Sequence, residues 1–449
     1  MKSPETTKKA ARGKAAKAAG RQSRTRSGDG EAVGGVQRAA NLDSVAFEDH
    51  VRVAAQGIRS VLAQVLAAVG ADPTQPRGMA RRFGLDKTLA WKLSRIVTED
   101  NVLELVDYLP GRAGLDIAIR SLEDAGAAAY SIAALRHALA EFERVVELHC
   151  GDRETLELML GFMQRDDQER IEAHRKRAFQ GNRAIWGVQA RLQVCAQFIA
   201  PSAAKPSKLD IATVSGLVDL RRLRQDTVWP VARFRQFTDD GHLLPDQSIE
   251  AIDDGATKAH GLPLWREYCS TPLPTLRARP ASGGIVNYEL QPGLVGATGA
   301  ATCMDGWFAR ARFDMHRDPK HPHVNDFGEH MVGVNTPVET MIFDFYVHRS
   351  MKHAMHPEMA IHSQLPTEPL YPEGGRDRGR LHISERVLDL GESPLHVVTP
   401  EMPEYSEMTA QTFDRLGWNA ADFRGFRFRM RYPPMPTLAI FRYPLPDRP

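Results

Sequence analysis

The hydrophobic period of this chain changes once, near residue 263. Upstream, apolar residues recur at i, i+3, i+4 and i+7, the spacing of helices that each bury one face. Downstream, prolines become frequent and apolar residues alternate with period 2. The pattern predicts a multidomain protein with an all-α N-terminal half and an α+β C-terminal half built on a mainly antiparallel sheet. At 449 residues the chain is long enough for two or three domains with separate cores. The expected layout is a disordered basic tail at 1–40 and a helical domain at 41–200. A linker and helical connection at 201–262 and an α+β domain at 263–449 complete it. The boundary at 200–201 rests on PSAAKPSK, where composition shifts after Ala200.

Residues 42–70 form an amphipathic helix with Val51, Ile58, Val61, Leu62, Val65, Leu66 and Val69 on its apolar face. Gly70 and Pro73 end it. Further helices are expected near 100–108, 113–125, 131–149, 152–164, 167–179 and 182–199, with another helical passage over 209–240. The stretch 76–97, PRGMARRFGLDKTLAWKLSRIV, is the most specific signal in this half. It reads as two short helices joined at Gly84-Leu85. Met79, Ala80 and Phe83 face inward from the first, and Leu89, Ala90, Leu93 and Ile96 from the second. Gly84 supplies the positive φ that a sharp reversal needs, and Asp86 sits at the N-cap of the second helix. Six Lys or Arg residues against one acid lie between Arg77 and Arg95.

Ala80, Gly84, Leu85, Lys87, Thr88, Ala90 and Leu93 make this stretch resemble the helix-turn-helix of bacterial transcription regulators of the isocitrate-lyase-regulator (IclR) type. The resemblance covers 76–97 only. It implies DNA as the partner and a homodimer that spans two half-sites. On it, Lys87, Thr88, Lys92 and Arg95 project toward the major groove, while Arg81 and Arg82 hold the backbone. Trp91 is unusual in such a position, and packing against the 42–70 helix is an alternative place for it. Members of that family usually follow the second helix with a β-hairpin wing, whereas Thr98–Ala127 reads as more helix.

Charge supports the same end of the chain. Residues 1–30 hold nine Lys or Arg and two acids, although the whole chain carries only +2. Such a tail lacks the apolar surface to fold and is suited to phosphate contact. In the C-terminal half, strands are expected at Thr275–Ala278, Ile285–Leu290, Phe308–Met315, Glu339–Arg349, Leu381–Leu390, Leu395–Thr399, Arg424–Tyr432 and Thr437–Tyr443, with one helix at Glu404–Leu416. The run Phe426–Tyr432 alternates apolar residues with Arg and is expected to bury one face and display guanidinium groups on the other.

Eight of sixteen histidines fall between His316 and His362. His321-x-His323, with His330 and Glu329 nearby, is a candidate metal site, since alternate strand positions face the same way. No HExxH accompanies it. Gly293, Gly296 and Gly299 have the wrong spacing for a phosphate-binding loop, so no cofactor is expected. No nucleophile–base–orienter set is legible. Cys150, Cys195, Cys269 and Cys303 form no CxxC pair and fit free thiols in a reducing cytoplasm. No apolar run is long enough to span a bilayer. Three readings follow: a cytoplasmic DNA-binding transcription regulator with a C-terminal effector or self-association domain, an oligomeric assembly protein with a helical binding module, and a metal-dependent enzyme using the histidine cluster.

Overall fold

A computed structural model describes residues 47–163, 168–234, 249–253, 255, 263–280, 286–317, 326–364, 379–392 and 397–448. The basic tail at 1–40 and the His321-x-His323 pair lie outside the described residues, as does part of the strand expected at 395–399. The chain divides into two compact units, Met1–Met163 and Gln164–Pro449. Helices precede a sheet-rich α+β half, as expected, but the sheet begins at residue 188 and not near 263.

The first unit contains α1 (Phe47–Ala68), α2 (Pro76–Phe83), α3 (Lys87–Thr98), α4 (Leu105–Tyr108), α5 (Arg112–Asp124), α6 (Ala129–His149) and α7 (Arg153–Met163). The apolar stripe of α1 packs Val51, Ile58, Leu62 and Val65 with Ala90, Leu93 and Ile96 of α3 and Leu135, Phe142 and Val146 of α6. Burying each large aliphatic side chain contributes roughly 1.5–3 kcal/mol. That burial holds α2 and α3, of 8 and 12 residues and too short to persist alone, in place beside the longer α1 and α6.

The second unit opens with α8 (Gln168–Trp186) and then β1 (Val188–Pro201), β2 (Lys208–Arg222), β3 (Trp229–Phe234), β4 (Glu250–Ala251), β5 (Leu276–Pro280), β6 (Val286–Leu290) and β7 (Ala301–Asp314). It continues with β8 (Phe327–Val334), β9 (Val338–His348), β10 (Glu358–Ser363), β11 (Arg380–Leu381), β12 (Leu388–Glu392), α9 (Tyr405–Leu416), β13 (Phe423–Arg431) and β14 (Thr437–Pro444). The main sheet has the order β12-β13-β9-β1-β2-β7-β4, with a four-stranded sheet β11-β10-β14-β8 and a three-stranded sheet β3-β6-β5. The main sheet is antiparallel except for β1 beside β9. One of its faces packs Phe343, Phe345 and Phe428 against Phe441, Tyr443 and Val334 of the four-stranded sheet. The other packs Phe198, Ile342 and Tyr346 against Tyr405, Met408 and Phe413 of α9.

Two expected helices are strands. Residues 188–201, which overlap the span read as helix 182–199, form the central strand β1, and 208–222, in the expected helical passage 209–240, form β2. Gly187, at φ 67°, ends α8 and turns the chain into the sheet. The segment read as a linker is the hairpin loop between them, where the Ser202 amide donates to the Lys208 carbonyl. Strands β8 and β10 flank the expected strand at 339–349, at positions where no strand is expected.

The Arg row of β13 lies on one face as expected, but each guanidinium has a carboxylate partner. Arg431 meets Glu172 at 3.3 Å and Arg429 meets Glu401. Arg427 is buried and donates twice to the fully buried Asp344, at 2.8 and 2.7 Å. Tyr405 Oη donates to the same carboxylate at 2.5 Å and Tyr346 Oη at 3.2 Å, while Arg427 also reaches Thr399 Oγ1 at 3.1 Å. Removing one partner strands a charge in a low-dielectric interior. Arg427→Ala is expected to lose about 3–5 kcal/mol, measured as a fall in the urea midpoint. A loss below about 1 kcal/mol would show that the pair carries little of this unit's stability.

Candidate nucleic-acid interface

Local chemistry sets the angle between α2 and α3. Gly84 takes φ 63°, ψ 24°, and its amide closes on the Ala80 carbonyl. Only a residue without a Cβ adopts that conformation cheaply. Two residues on, the Asp86 carboxylate accepts from the Thr88 amide at 2.8 Å and the Leu89 amide at 3.4 Å. Those amides hold its carboxyl below the usual range. Ser94, buried on the inner face of α3, donates to the Pro73 carbonyl and ties α3 to the loop before α2. Met79, Ala80, Phe83, Ala90, Leu93 and Ile96 are all buried, so the inner faces are those the spacing predicts.

The outer face divides by what its basic groups already touch. Arg81 and Lys87 are exposed, Lys92 is half-buried, and Thr88 is exposed between them. Arg77, one turn before Arg81 on the same side of α2, is exposed too. Among the described residues, Arg77, Arg81, Lys87 and Lys92 form no ion pair, so their charge faces solvent. Arg82 differs. Its guanidinium donates to the Gly70 carbonyl at 2.6 Å and the Val69 carbonyl at 2.5 Å, satisfying carbonyls left at the C-terminal end of α1. Arg95 pairs with Glu99 and donates to Tyr108 Oη at 3.3 Å, with its guanidinium 5.0 Å above the Tyr108 ring. Both groups brace the fold.

Trp91 is 45% exposed, and its edge meets the Tyr108 ring at 5.5 Å. It therefore packs on α4 rather than on α1. The chain after α3 continues as α4 and α5, and the first unit contains no strand among its described residues. Helix takes the place where a wing follows in the family that 76–97 resembles. The turn at 109–111 is closed by Arg153, which donates to the carbonyls of Val106, Leu109 and Pro110.

The histidines behave differently from a ligand set. His330, on β8, is 6% exposed, with Nε2 3.3 Å from Tyr443 Oη and its ring 4.7 Å from Phe345. Burial pushes its imidazole down to about 3. No group of three or more His, Cys, Asp or Glu side chains is placed to hold a metal ion among the described residues.

Sequence reading overlooked Tyr108, which positions both Trp91 and Arg95, and Asp305, a 6%-exposed carboxyl on β7. Nothing local marks either. Asp305 sits in ATCMDGWF, and its environment comes from strands far away in sequence. No family model, curated protein or solved structure matches this chain.

Proposed function

We propose that the first unit binds double-stranded DNA by placing α3 in the major groove, and that the protein is a cytoplasmic transcription regulator. The observation that carries this reading is the capped α2–turn–α3 pair. It presents Arg77, Arg81, Lys87 and Lys92, none with an intramolecular ion partner among the described residues, around an exposed Thr88. Cations without partners release counterions when they meet phosphates, and a short hydroxyl between them can reach a base edge. On this reading the second unit receives an effector or joins two copies, as a regulator with two half-sites requires.

A mobility-shift titration on genomic fragments tests it. Lys87→Ala with Lys92→Ala is expected to weaken binding at least tenfold at low salt. The salt slope is expected to fall by about one for each phosphate that is no longer neutralised. Arg82→Ala is expected to lower the melting temperature as well, because it releases the end of α1. Absence of binding at about 50 mM salt by the folded wild-type chain, with its helical circular dichroism intact, would overturn the reading.

A further inference from the structure

The outer face of α3 is cationic at its sides and aromatic at its centre. Successive residues of a helix turn by about 100°, so Thr88, Trp91 and Arg95 stand in one row. That row lies opposite Ala90, Leu93 and Ile96, which are buried. Lys87 and Lys92 flank it on either side. Arg95 leaves the row, because its guanidinium turns to Glu99 and to Tyr108 Oη. What remains at the centre is the hydroxyl of Thr88 and, one turn on, the indole of Trp91.

The indole is held in place without being covered. Its ring meets Tyr108 of α4 at 5.5 Å with the ring planes at 88°, an edge-to-face contact. Tyr108 is fixed in turn by Arg95, whose guanidinium lies 5.0 Å from the ring centroid and donates to the hydroxyl. Such bracing sets the Trp91 rotamer before any partner arrives, so little side-chain freedom is left to lose on binding. Nearly half of the residue still faces solvent. Of the large apolar side chains left exposed among the described residues of the first unit, Trp91 alone lies on α2 or α3.

Resting on the DNA-binding reading above, we propose that Trp91 is a specificity-determining residue that reads thymine, its indole packing on the 5-methyl group in the major groove. That methyl is the apolar group among the donors and acceptors that base pairs present there. Arginine, the commonest reader of guanine, is absent from the centre of this face, because Arg95 is engaged within the fold. A fixed, half-exposed aromatic surface gains by removing a methyl group from water. Lys87 and Lys92, at the sides of the row, meet phosphates, which carry no sequence information. Affinity and specificity therefore fall to different side chains. The cations supply a salt-dependent attraction, and the indole supplies a salt-independent preference.

The test uses genomic fragments retained by the full wild-type chain, amplified once with thymidine triphosphate and once with deoxyuridine triphosphate in its place. Uracil keeps every hydrogen-bonding group of thymine and lacks the methyl. In a mobility-shift titration the uracil duplex is expected to bind about fourfold more weakly for each thymine contacted. The ratio is expected to be the same at about 50 and 200 mM salt, because no counterion is released at a methyl group. This comparison is made on the wild-type chain and needs no variant to fold. Trp91→Ala is expected to bind the two duplexes alike, and Trp91→Phe, which keeps an apolar ring beside Tyr108, to retain the preference. Lys87→Ala with Lys92→Ala is expected to weaken both duplexes and leave their ratio unchanged. Equal binding of the two duplexes by the wild-type chain would overturn the proposal and leave DNA binding standing. So would an undiminished preference in Trp91→Ala. Tighter binding to the separated strands than to the duplex would assign the indole to base stacking and overturn it as well. Retention of no fragment at about 50 mM salt would remove the reading on which it rests.

Discussion

Asp305→Asn is expected to remove one contribution to the stability of the second unit, a contribution that falls between about pH 4 and pH 7. Burial raises the folded-state carboxyl from its ordinary 3.8 to about 7, only partly offset by the Ser215 hydroxyl. Between those values the folded state keeps a proton that the unfolded state has released. Stability from this group is therefore complete below about pH 4, falls as pH rises, and levels off above about pH 7. The full loss is roughly 4 kcal/mol. The neighbouring thiols do not blur the effect. Burial pushes Cys195, Cys269 and Cys303 up, so all three stay protonated across the window. Urea unfolding in choline chloride, followed by tryptophan fluorescence, is a suitable readout, because five of the six tryptophans lie in this unit. An unchanged pH slope in Asp305→Asn would show that the carboxyl is not the source.

His330→Phe is expected to act in the opposite sense. Burial against Phe345 and Tyr443 lowers the folded-state imidazole from 6.5 to about 3. Below pH 6.5 the unfolded chain binds a proton that the folded chain refuses. Stability from this group is complete above pH 6.5 and is lost as pH falls toward 3, by roughly 5 kcal/mol. Phe fills the aromatic stack, so the acid limb should flatten, at a pH-independent cost of about 1 kcal/mol for the Tyr443 hydroxyl left without its partner. Between about pH 4 and 6.5 the two groups oppose each other. Wild type should therefore vary little there. Asp305→Asn should fall steeply with acid, and His330→Phe should gain stability as pH drops. A steep wild-type slope in that window, unaltered by either change, would refute both assignments.

The strands β9 and β13 and the helix α9 were legible because their patterns are unambiguous. β9 is rich in aromatic and β-branched residues, β13 alternates from Phe426 on, and α9 carries helical spacing that stops at Gly417. Strand β1 misled for a specific reason. Gln189, Gln193 and Gln197 are four residues apart, and that spacing lines up on one face of a helix and of a strand alike. Apart from the exposed Arg191, the residues between them are apolar because β1 is the middle strand of seven, buried on both sides. A strand of that kind loses the alternation by which strands are recognised.

The sequence by itself determined the features that depend on neighbours along the chain. Gly84 and Asp86 set the α2–α3 turn through backbone conformation and two local amides. The change of hydrophobic period set the order of classes, helices and then sheet, although the sheet begins at residue 188, upstream of the change near 263. Tertiary structure alone decided which charges remain free. Arg81 and Arg82 are adjacent and chemically identical, yet Arg82 closes the end of α1 while Arg81 faces solvent. Arg427 meets Asp344 across 83 residues, and Ser215 meets Asp305 across 90. A charge's partner, and the water it has lost, depend on which distant strands lie beside it, and local sequence does not encode that register.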